Sequence, residues 1–387
     1  MASMFLADFG AEVIKVERPG LGDEVRRWGE VKNGVGLYYK AVNRGKKAIT
    51  ADLRTPLGVE IVKRLVKDAD ILVENYRPGT LEKWGLAPEM LCEINPGLIV
   101  LRVTGFGQTG PNRTRPGFGT IAEAYAGYVY ISGEPGGPPL LPGFGLADST
   151  TGLMGAYLAS IALHEKRRSG RGQVIDLALY ETLLTLLGPQ VVNHDQLGLI
   201  QERAGSRLPF TAPRNIYRTR DGKFISVGGS AQSIFERICT ALEIPELPAD
   251  PRFIDNRARL KNVDALDAAL QAAISRFDRD ELMRRFVELD AAISPVNNVQ
   301  DIFRDPHIAS RDNIVGLPDE ELGATLRMQN VVGKLSRTPG KIRHTGPRIG
   351  AHNREVLIGQ LGFSEEELRQ GGIDLGAADR AAEAPKP

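Results

Sequence analysis

Short apolar segments alternate with helical patterns over the first two hundred residues. Five segments have the length and the Val, Ile and Leu content of buried strands: 11–17, 46–53, 71–75, 98–104 and 172–179. Helical periodicity fills the stretches between them. Strands that alternate with helices in this way predict an α/β fold built around a sheet.

Two of the intervening helices carry both start and stop signals. The segment 55–70 opens with a Thr, has a Pro in its first turn and places apolar residues along one side. The segment 148–170 has Asp148 where an N-cap is expected, three basic residues in its last turn and Gly170 just after them. We expect the first helix to cover one face of the sheet.

The pattern changes near Arg214. Residues 215–229 resemble a hairpin turning at Asp221-Gly222, and charged amphipathic helices follow from Ser230 to about Leu289. This hairpin followed by amphipathic helices predicts a smaller α+β domain. The segment 293–303 then returns to a strand, turn and helix, and 351–363 predicts a last helix that packs on the larger domain.

These patterns predict two unequal domains, because 387 residues exceed what one simple core needs. The tail is rich in Ala, Glu, Lys and Pro and has too few apolar residues to fold. The predicted ranges are a large α/β domain at 1–205, a small α+β domain at 206–310, a return to the large domain at 311–375 and a disordered tail at 376–387.

Composition narrows the possible partners. The 49 Lys and Arg nearly balance the 48 Asp and Glu, so no long-range field draws the chain to nucleic acid or to an anionic membrane. No run of eighteen apolar residues occurs, and the first residues do not resemble a signal peptide. Cys92 and Cys239 lie far apart, which favours reduced thiols. We therefore expect a cytoplasmic protein.

A glycine motif at Gly105–Gly110, GFGQTG, matches the dinucleotide-binding fingerprint and follows a predicted strand. The fingerprint also requires a helix directly afterwards, whose N-terminus faces the pyrophosphate. Here Pro111 and a polar run follow instead. The motif therefore favours a glycine-rich loop at an active site over a nicotinamide site.

Other common site signals are missing from the sequence. The five His residues are scattered without partners at metal-ligand spacing, so no metal site is expected. Neither a Gly-x-Ser-x-Gly elbow nor a Walker loop occurs, which disfavours ordinary serine hydrolases and nucleotide hydrolases.

Asp148 allows two interpretations. It follows the small residues of PGFGLA and stands at a helix N-terminus, where backbone N–H groups and the helix dipole would surround a carboxylate. Since Asp is among the commonest capping residues, a plain N-cap is one interpretation. The small residues before it leave room for a substrate, which makes a reactive carboxylate the other.

Basic residues stand near the ends of several predicted strands. In open α/β folds, ligands collect beyond the carboxyl ends of the strands, where Arg and Lys suit phosphates. Each of these residues taken alone also fits an ordinary solvated surface charge. The residues are Arg18, Arg54, Arg77 and Lys83.

The chain resembles the class III CoA-transferases of the CaiB/BaiF type, typified by formyl-CoA:oxalate CoA-transferase and the carnitine CoA-transferases. Each matching segment is weakly specific alone, but together they follow the family's order over almost the whole chain. The segments are 5–26, 43–58, 73–86, 95–111, 115–127, 142–152, 167–181, 227–238 and 294–308.

The resemblance implies a covalent mechanism. The family's aspartate nucleophile falls on Asp148, which would attack an acyl-CoA to form a mixed anhydride and then an aspartyl-CoA thioester. Exchange of one carboxylate for another is nearly isoenergetic, so a covalent relay conserves the thioester's free energy if water is excluded. The substrates would be an acyl-CoA and a small carboxylic acid, with no tightly bound cofactor.

The resemblance also implies binding residues and an assembly. The family's mobile glycine loop, which closes over the acid, corresponds to Gly228, Gly229 and Ser230. The implied fold is a large open-sheet, Rossmann-like domain built from both chain ends, with a small domain inserted, in an interlocked homodimer. The implied CoA contacts are Arg18, Arg54, Asn75, Tyr76, Arg77, Lys83 and Arg115.

Two departures from the family pattern bear on activity. Relatives begin with a further strand and an Ala-Gly-Pro loop that help to hold CoA, so we expect either a late recorded start or reduced activity. The α-methylacyl-CoA racemases share the fold but carry a His in a Gly-His-Asp motif where this chain has Gly117-Phe118-Gly119. Since Phe118 cannot shuttle a proton, racemisation is the minor alternative. A CoA-binding protein without turnover is the other.

Overall fold

A computed structural model describes residues 1–376. The predicted disordered tail at 376–387 lies outside the described residues except for Gly376. Among the described residues, no helix is long and apolar enough to cross a bilayer.

The strands are β1 (Val13–Glu17), β2 (Val31–Lys32), β3 (Val35–Gly36), β4 (Lys46–Thr50), β5 (Ile71–Glu74), β6 (Ile99–Thr104), β7 (Val174–Ala178), β8 (Arg214–Arg218), β9 (Phe224–Gly228), β10 (Ile293–Pro295), β11 (Ile314–Asp319) and β12 (Ala324–Gln329). All five strands that the sequence predicts in the first two hundred residues are present, as β1, β4, β5, β6 and β7.

The α-helices are α1 (Ala2–Asp8), α2 (Leu37–Val42), α3 (Pro56–Asp68), α4 (Thr80–Lys83), α5 (Pro88–Ile94), α6 (Gly119–Tyr125), α7 (Tyr128–Ile131), α8 (Leu146–Ser169), α9 (Leu179–Leu186), α10 (Gln190–Leu197), α11 (Gln232–Ala241), α12 (Asn256–Lys261), α13 (Val263–Ile274), α14 (Arg279–Glu288), α15 (Val299–Arg304), α16 (Pro306–Ser310) and α17 (Glu365–Gln370). Short 3₁₀ turns lie at Glu24–Arg27 and Leu247–Ala249, and a π-type turn lies at Arg354–Gln360.

By contact density the described chain divides into two compact units. The larger unit holds residues 1–127, 142–188 and 307 onward, and the smaller holds 128–141 and 189–306. The smaller unit therefore includes 128–141 and 189–205, which the sequence analysis placed in the large domain. Arg203 joins these two segments, because its guanidinium donates to the carbonyl oxygens of Gly137 at 2.9 Å and Tyr130 at 3.0 Å.

The larger unit contains parallel pairings. Strand β1 pairs with β4, and β5, β6 and β7 form a parallel sheet in that order. Helix α3 begins as predicted, since Thr55 accepts a hydrogen bond from the backbone N–H of Gly58 at 3.1 Å. Its buried Ile61 packs with Ile49 of β4.

The end of the chain returns to the same core. Val356 and Leu357 are fully buried in the cluster that contains Ile49 and Ile61. The segment 351–363 therefore packs on the larger unit as predicted. It forms a π-type turn, however, and it is not the last helix, because α17 follows it.

The smaller unit has its own core. The predicted hairpin is confirmed: β8 and β9 are antiparallel, and Gly222 in their turn has a φ of 76°. Strand β10 adds to the edge of β9. Helices α11, α13 and α14 bury apolar side chains in one cluster around Phe235, Leu270 and Phe286.

Candidate active site

Asp148 lies inside the first turn of α8. The sequence analysis placed it at the N-cap, and this is wrong: the helix begins at Leu146 and its N-cap is Gly145. The helix starts earlier because Glu123 supplies an acceptor from outside. The buried carboxylate of Glu123 accepts the backbone N–H of Ala147 at 3.1 Å. Asp148 therefore has no capping role, and its side chain is exposed to solvent.

Two glycines surround the carboxylate of Asp148. A Cβ atom added to Gly119 would lie 2.4 Å from Oδ2 of Asp148, and one added to Gly145 would lie 3.2 Å from the same oxygen. Gly119 is the first residue of α6, and Gly145 precedes α8. The close approach of two glycines leaves the carboxylate open to a ligand.

The glycine loop after β6 supports this arrangement. A Cβ atom added to Gly105 would lie 2.6 Å from Cα of Gly117, so the backbones at these two glycines are in direct contact. On the other side of the loop, the Asp176 carboxylate accepts the backbone N–H of Gln108 at 2.9 Å. The loop thus supports the segment that places Gly119 against Asp148.

The electrostatics of the site favour a protonated Asp148 more than is usual for an aspartate. Asp148 remains accessible, but the protein packed around it removes part of the hydration of its carboxylate. This partial desolvation, and secondly the negative charge of Glu123, raise the pKa of Asp148. In turn, partial burial and the negative charge of Asp148 raise the pKa of Tyr38. A carboxylate with a raised pKa is more basic, and therefore a better nucleophile once it is ionised.

Most of the predicted CoA contacts follow the carboxyl ends of parallel strands. Arg18 follows β1, and Arg54 lies four residues beyond β4, where it pairs with Asp52 at 2.7 Å. Both arginines are exposed. β1 and β4 are parallel, and their last residues Glu17 and Thr50 lie opposite each other. Both arginines therefore follow the carboxyl end of this strand pair.

A second group follows β5. Asn75, Tyr76 and Arg77 come directly after this strand, and Lys83 ends the short helix α4. The ring of Tyr76 meets the ring of Trp84 edge to face, with 5.0 Å between their centroids. The loop and the helix are therefore in contact.

Arg115 lies beside an aromatic cluster. Its guanidinium carbon is 5.2 Å from the ring centroid of Phe106, which packs edge to face on Tyr125. Tyr125 also accepts a hydrogen bond from the Asn112 side chain at 3.1 Å.

The predicted glycine loop belongs to the smaller unit. Gly228 ends β9, and the backbone N–H of Gly229 donates to the carbonyl of Pro213 at 2.9 Å. The carbonyl of Ser230 accepts from the buried Arg259 at 3.2 Å. Gly229 also packs closely on Ile238, since a Cβ atom there would lie 2.5 Å from its Cδ1.

Sequence reasoning missed the roles of two residues that act on Asp148. Gly119 carries no functional group, and the position of Glu123 beside α8 depends on tertiary packing. The one available signal was their spacing of four residues, which places both on the same face of α6. Phe118 occupies the position where racemases carry a His. Its ring is exposed, and it has no group that can transfer a proton.

Comparison with known proteins identifies the family. The sequence model of CoA-transferase family III matches residues 1–353. The chain belongs to CoA-transferase family III. It is an enzyme that transfers coenzyme A between an acyl-CoA and a carboxylic acid.

Several relatives of this CoA-transferase are similar over nearly their whole length. A succinyl-CoA–D-citramalate CoA-transferase from Chloroflexus aurantiacus is 45% identical over 364 residues, which cover 94% of this chain and 90% of the relative. A succinate–glutarate CoA-transferase from Agrobacterium fabrum is 35% identical, with 92% and 90% covered.

A solved structure shares the fold of this CoA-transferase. The crystal structure of a CaiB/BaiF family protein from Brucella suis superposes with a TM-score of 0.82 at 34% identity, covering 92% of this chain and 94% of that one. The mixed α/β fold predicted from the sequence is thereby confirmed.

Proposed function

We propose that Asp148 is the covalent nucleophile of this CoA-transferase. The observation that supports it is the position of the carboxylate, which is exposed and lies against Gly119 and Gly145 in the first turn of α8. A carboxylate bordered by glycine backbone can approach a thioester carbonyl without a side chain between them. Its raised pKa increases its nucleophilicity.

The proposed reaction has four steps, and each exchanges one bond for another. The carboxylate of Asp148 attacks the donor thioester, CoA thiolate leaves, and a mixed anhydride forms. The thiolate attacks the Asp148 side of the anhydride, which releases the donor acid and leaves an aspartyl-CoA thioester. The acceptor carboxylate attacks this thioester, giving a second anhydride and free thiolate. The thiolate then attacks the acceptor's acyl carbon, which yields the new acyl-CoA and restores Asp148.

The helix start assists this chemistry. Charge develops on the carbonyl oxygen during each attack, and a free backbone N–H at the start of α8 is suited to stabilise it. Among the described residues, Leu146, Ala147 and Ser149 already donate their N–H groups to Phe144, Glu123 and Gly145, so the N–H of Asp148 itself is the one in this turn left for the substrate.

The cationic groups at the strand ends are suited to hold the CoA phosphates. Arg18 and Arg54 emerge at one edge of the β1–β4 pair, and Arg77 and Lys83 emerge after β5. Asn75 and Tyr76 belong to the same loop as Arg77 and would contact the parts of coenzyme A other than its phosphates. Arg115 would supply a further positive charge. Gly228, Gly229 and Ser230 are proposed as the loop that closes over the acid.

The predicted interlocked homodimer fits an apolar stripe on α8. Leu153, Tyr157 and Ile161 recur at a spacing of four residues, so they share one face, and each is about half exposed or more in the single chain. A second copy of the chain would remove this stripe from water.

The cytoplasmic location stays a prediction, and Cys92 and Cys239 are both unpaired in the structure.

We infer that succinyl-CoA is the donor, because relatives at 45% and 35% identity are named for succinyl-CoA or succinate. The test incubates the protein with succinyl-CoA and a panel of mono- and dicarboxylic acids, and follows new acyl-CoA species by mass spectrometry. New thioesters that vanish in Asp148→Ala support the proposal and identify the acceptor. Undiminished transfer by Asp148→Ala would exclude Asp148 as the nucleophile.

A further inference from the structure

Arg102 places a charged group inside the larger unit. It lies in the middle of β6, whose neighbouring residues Val100 and Leu101 are fully buried, and its side chain is only 8% exposed. Burying an unpaired guanidinium would be very costly. Two carboxylates compensate for it: Nε donates to Glu74 at 2.6 Å, and Nη1 lies 2.9 Å from Glu82. These three side chains form the Glu74–Arg102–Glu82 triad.

Both carboxylates of the triad belong to segments that carry proposed CoA contacts. Glu74 is the last residue of β5, and its second oxygen accepts the backbone N–H of Tyr76 at 2.7 Å. Glu82 lies in α4, directly before Lys83. Through one guanidinium, the loop after β5 and the helix α4 are therefore held to the same point on β6.

Within the described part of the chain, the triad leaves one buried hydrogen-bond donor of Arg102 unpaired and one of its carboxylates short of solvation. Nη2 of Arg102 is buried and has no hydrogen-bond partner among the described residues, and burial raises the pKa of Glu74 despite its pairing. Buried ion pairs can often be replaced by apolar residues without loss of stability. Retaining a charged group here therefore suggests a task other than packing.

We propose that Arg102 is a positioning residue for coenzyme A, which through Glu74 and Glu82 fixes the loop 75–77 and the helix that carries Lys83. This inference rests on the proposed function, because the CoA contacts of those segments are themselves proposed. A preorganised pair of segments binds with less loss of conformational freedom. Without Arg102, two unpaired carboxylates would also stand next to the segments that bind the CoA phosphates, and they would repel those anions.

The test measures acyl-CoA binding and stability together in Arg102→Met. We expect KM for the acyl-CoA to rise about tenfold or more, with kcat at saturating acyl-CoA changed by less than about threefold, because ground-state binding is the property affected. The matched control is Arg44→Met. Arg44 is a buried arginine of the same unit, and its Nη2 lies 2.6 Å from Asp8, which is not a proposed CoA contact. The control should lose thermal stability and keep its KM.

A second variant avoids any folding defect. Glu82 is partly exposed, so Glu82→Gln should fold normally and still raise KM by weakening one of the two connections. Its control is Glu60→Gln, which removes an exposed pair with Arg64 elsewhere in the unit. An unchanged KM in both Arg102→Met and Glu82→Gln would overturn the inference.

Direct substitutions separate this inference from the proposed function. Arg77→Ala and Lys83→Ala remove proposed CoA contacts themselves and should raise KM without involving the triad. If these two raise KM but Arg102→Met and Glu82→Gln do not, the positioning role is wrong and the CoA site stands. If neither Arg77→Ala nor Lys83→Ala changes KM, the proposed CoA site is wrong, and the inference is overturned with it.

Discussion

Gly119→Ala should disable the enzyme while leaving its fold intact. The new Cβ atom would lie 2.4 Å from Oδ2 and 2.9 Å from Cγ of Asp148, whereas ordinary contact begins near 3.4 Å. The carboxylate must therefore move by about 1 Å, and a displacement of that size at a reacting group costs about a hundredfold in rate. Because Asp148 is exposed, it can rotate away, and the free energy of unfolding should change by less than about 1 kcal/mol.

The assay is kcat/KM for CoA transfer from succinyl-CoA, measured alongside the thermal unfolding midpoint. Gly143→Ala is the matched control, because it adds the same methyl group in the segment before α8 with no atom within 4 Å of the new Cβ. The control should retain nearly full activity. If kcat/KM of Gly119→Ala stayed within about threefold of the control, a role for the carboxylate position of Asp148 would be refuted.

Two further predictions concern the charge at the site and the core of the smaller unit. Glu123→Gln keeps an oxygen that can accept the N–H of Ala147 but removes a negative charge that raises the pKa of Asp148. Since the ionised carboxylate is the reactive form, the acid limb of the pH profile of kcat/KM should move to lower pH, and a shift to higher pH would contradict the account. Phe235→Ala removes a fully buried ring from the core of the smaller unit and should lower the free energy of unfolding by about 3–5 kcal/mol, measured by urea denaturation. A loss below about 1 kcal/mol would contradict the packing described for Phe235.

The fold was predictable where local pattern and tertiary structure agree. Strands such as β6 are buried along most of their length and appear in the sequence as short, mainly apolar segments rich in Val, Ile and Leu. The Thr55 cap of α3 and the Gly222 turn follow from local backbone chemistry. The last part of the chain was harder, because the π-type turn at Arg354–Gln360 carries an ordinary helical pattern.

The site was predictable only in part. Asp148 stood out through the small residues before it, but its role as a cap was wrong because Glu123, from another helix, supplies the acceptor. No local pattern reveals that two glycines converge on one carboxylate. Arg102 was hidden for a similar reason, since a single charge in an apolar strand acquires its meaning only from the carboxylates of other segments.

The most direct test of the account is to trap the covalent intermediate. The wild-type protein is mixed with succinyl-CoA, quenched with hydroxylamine, digested and analysed by mass spectrometry, because hydroxylamine converts an activated aspartyl group to a stable hydroxamate. The account predicts a hydroxamate on the peptide that contains Asp148, which is absent without succinyl-CoA. Transfer of CoA to an acceptor acid with no modification at Asp148, or with a modification on a different residue, would contradict it.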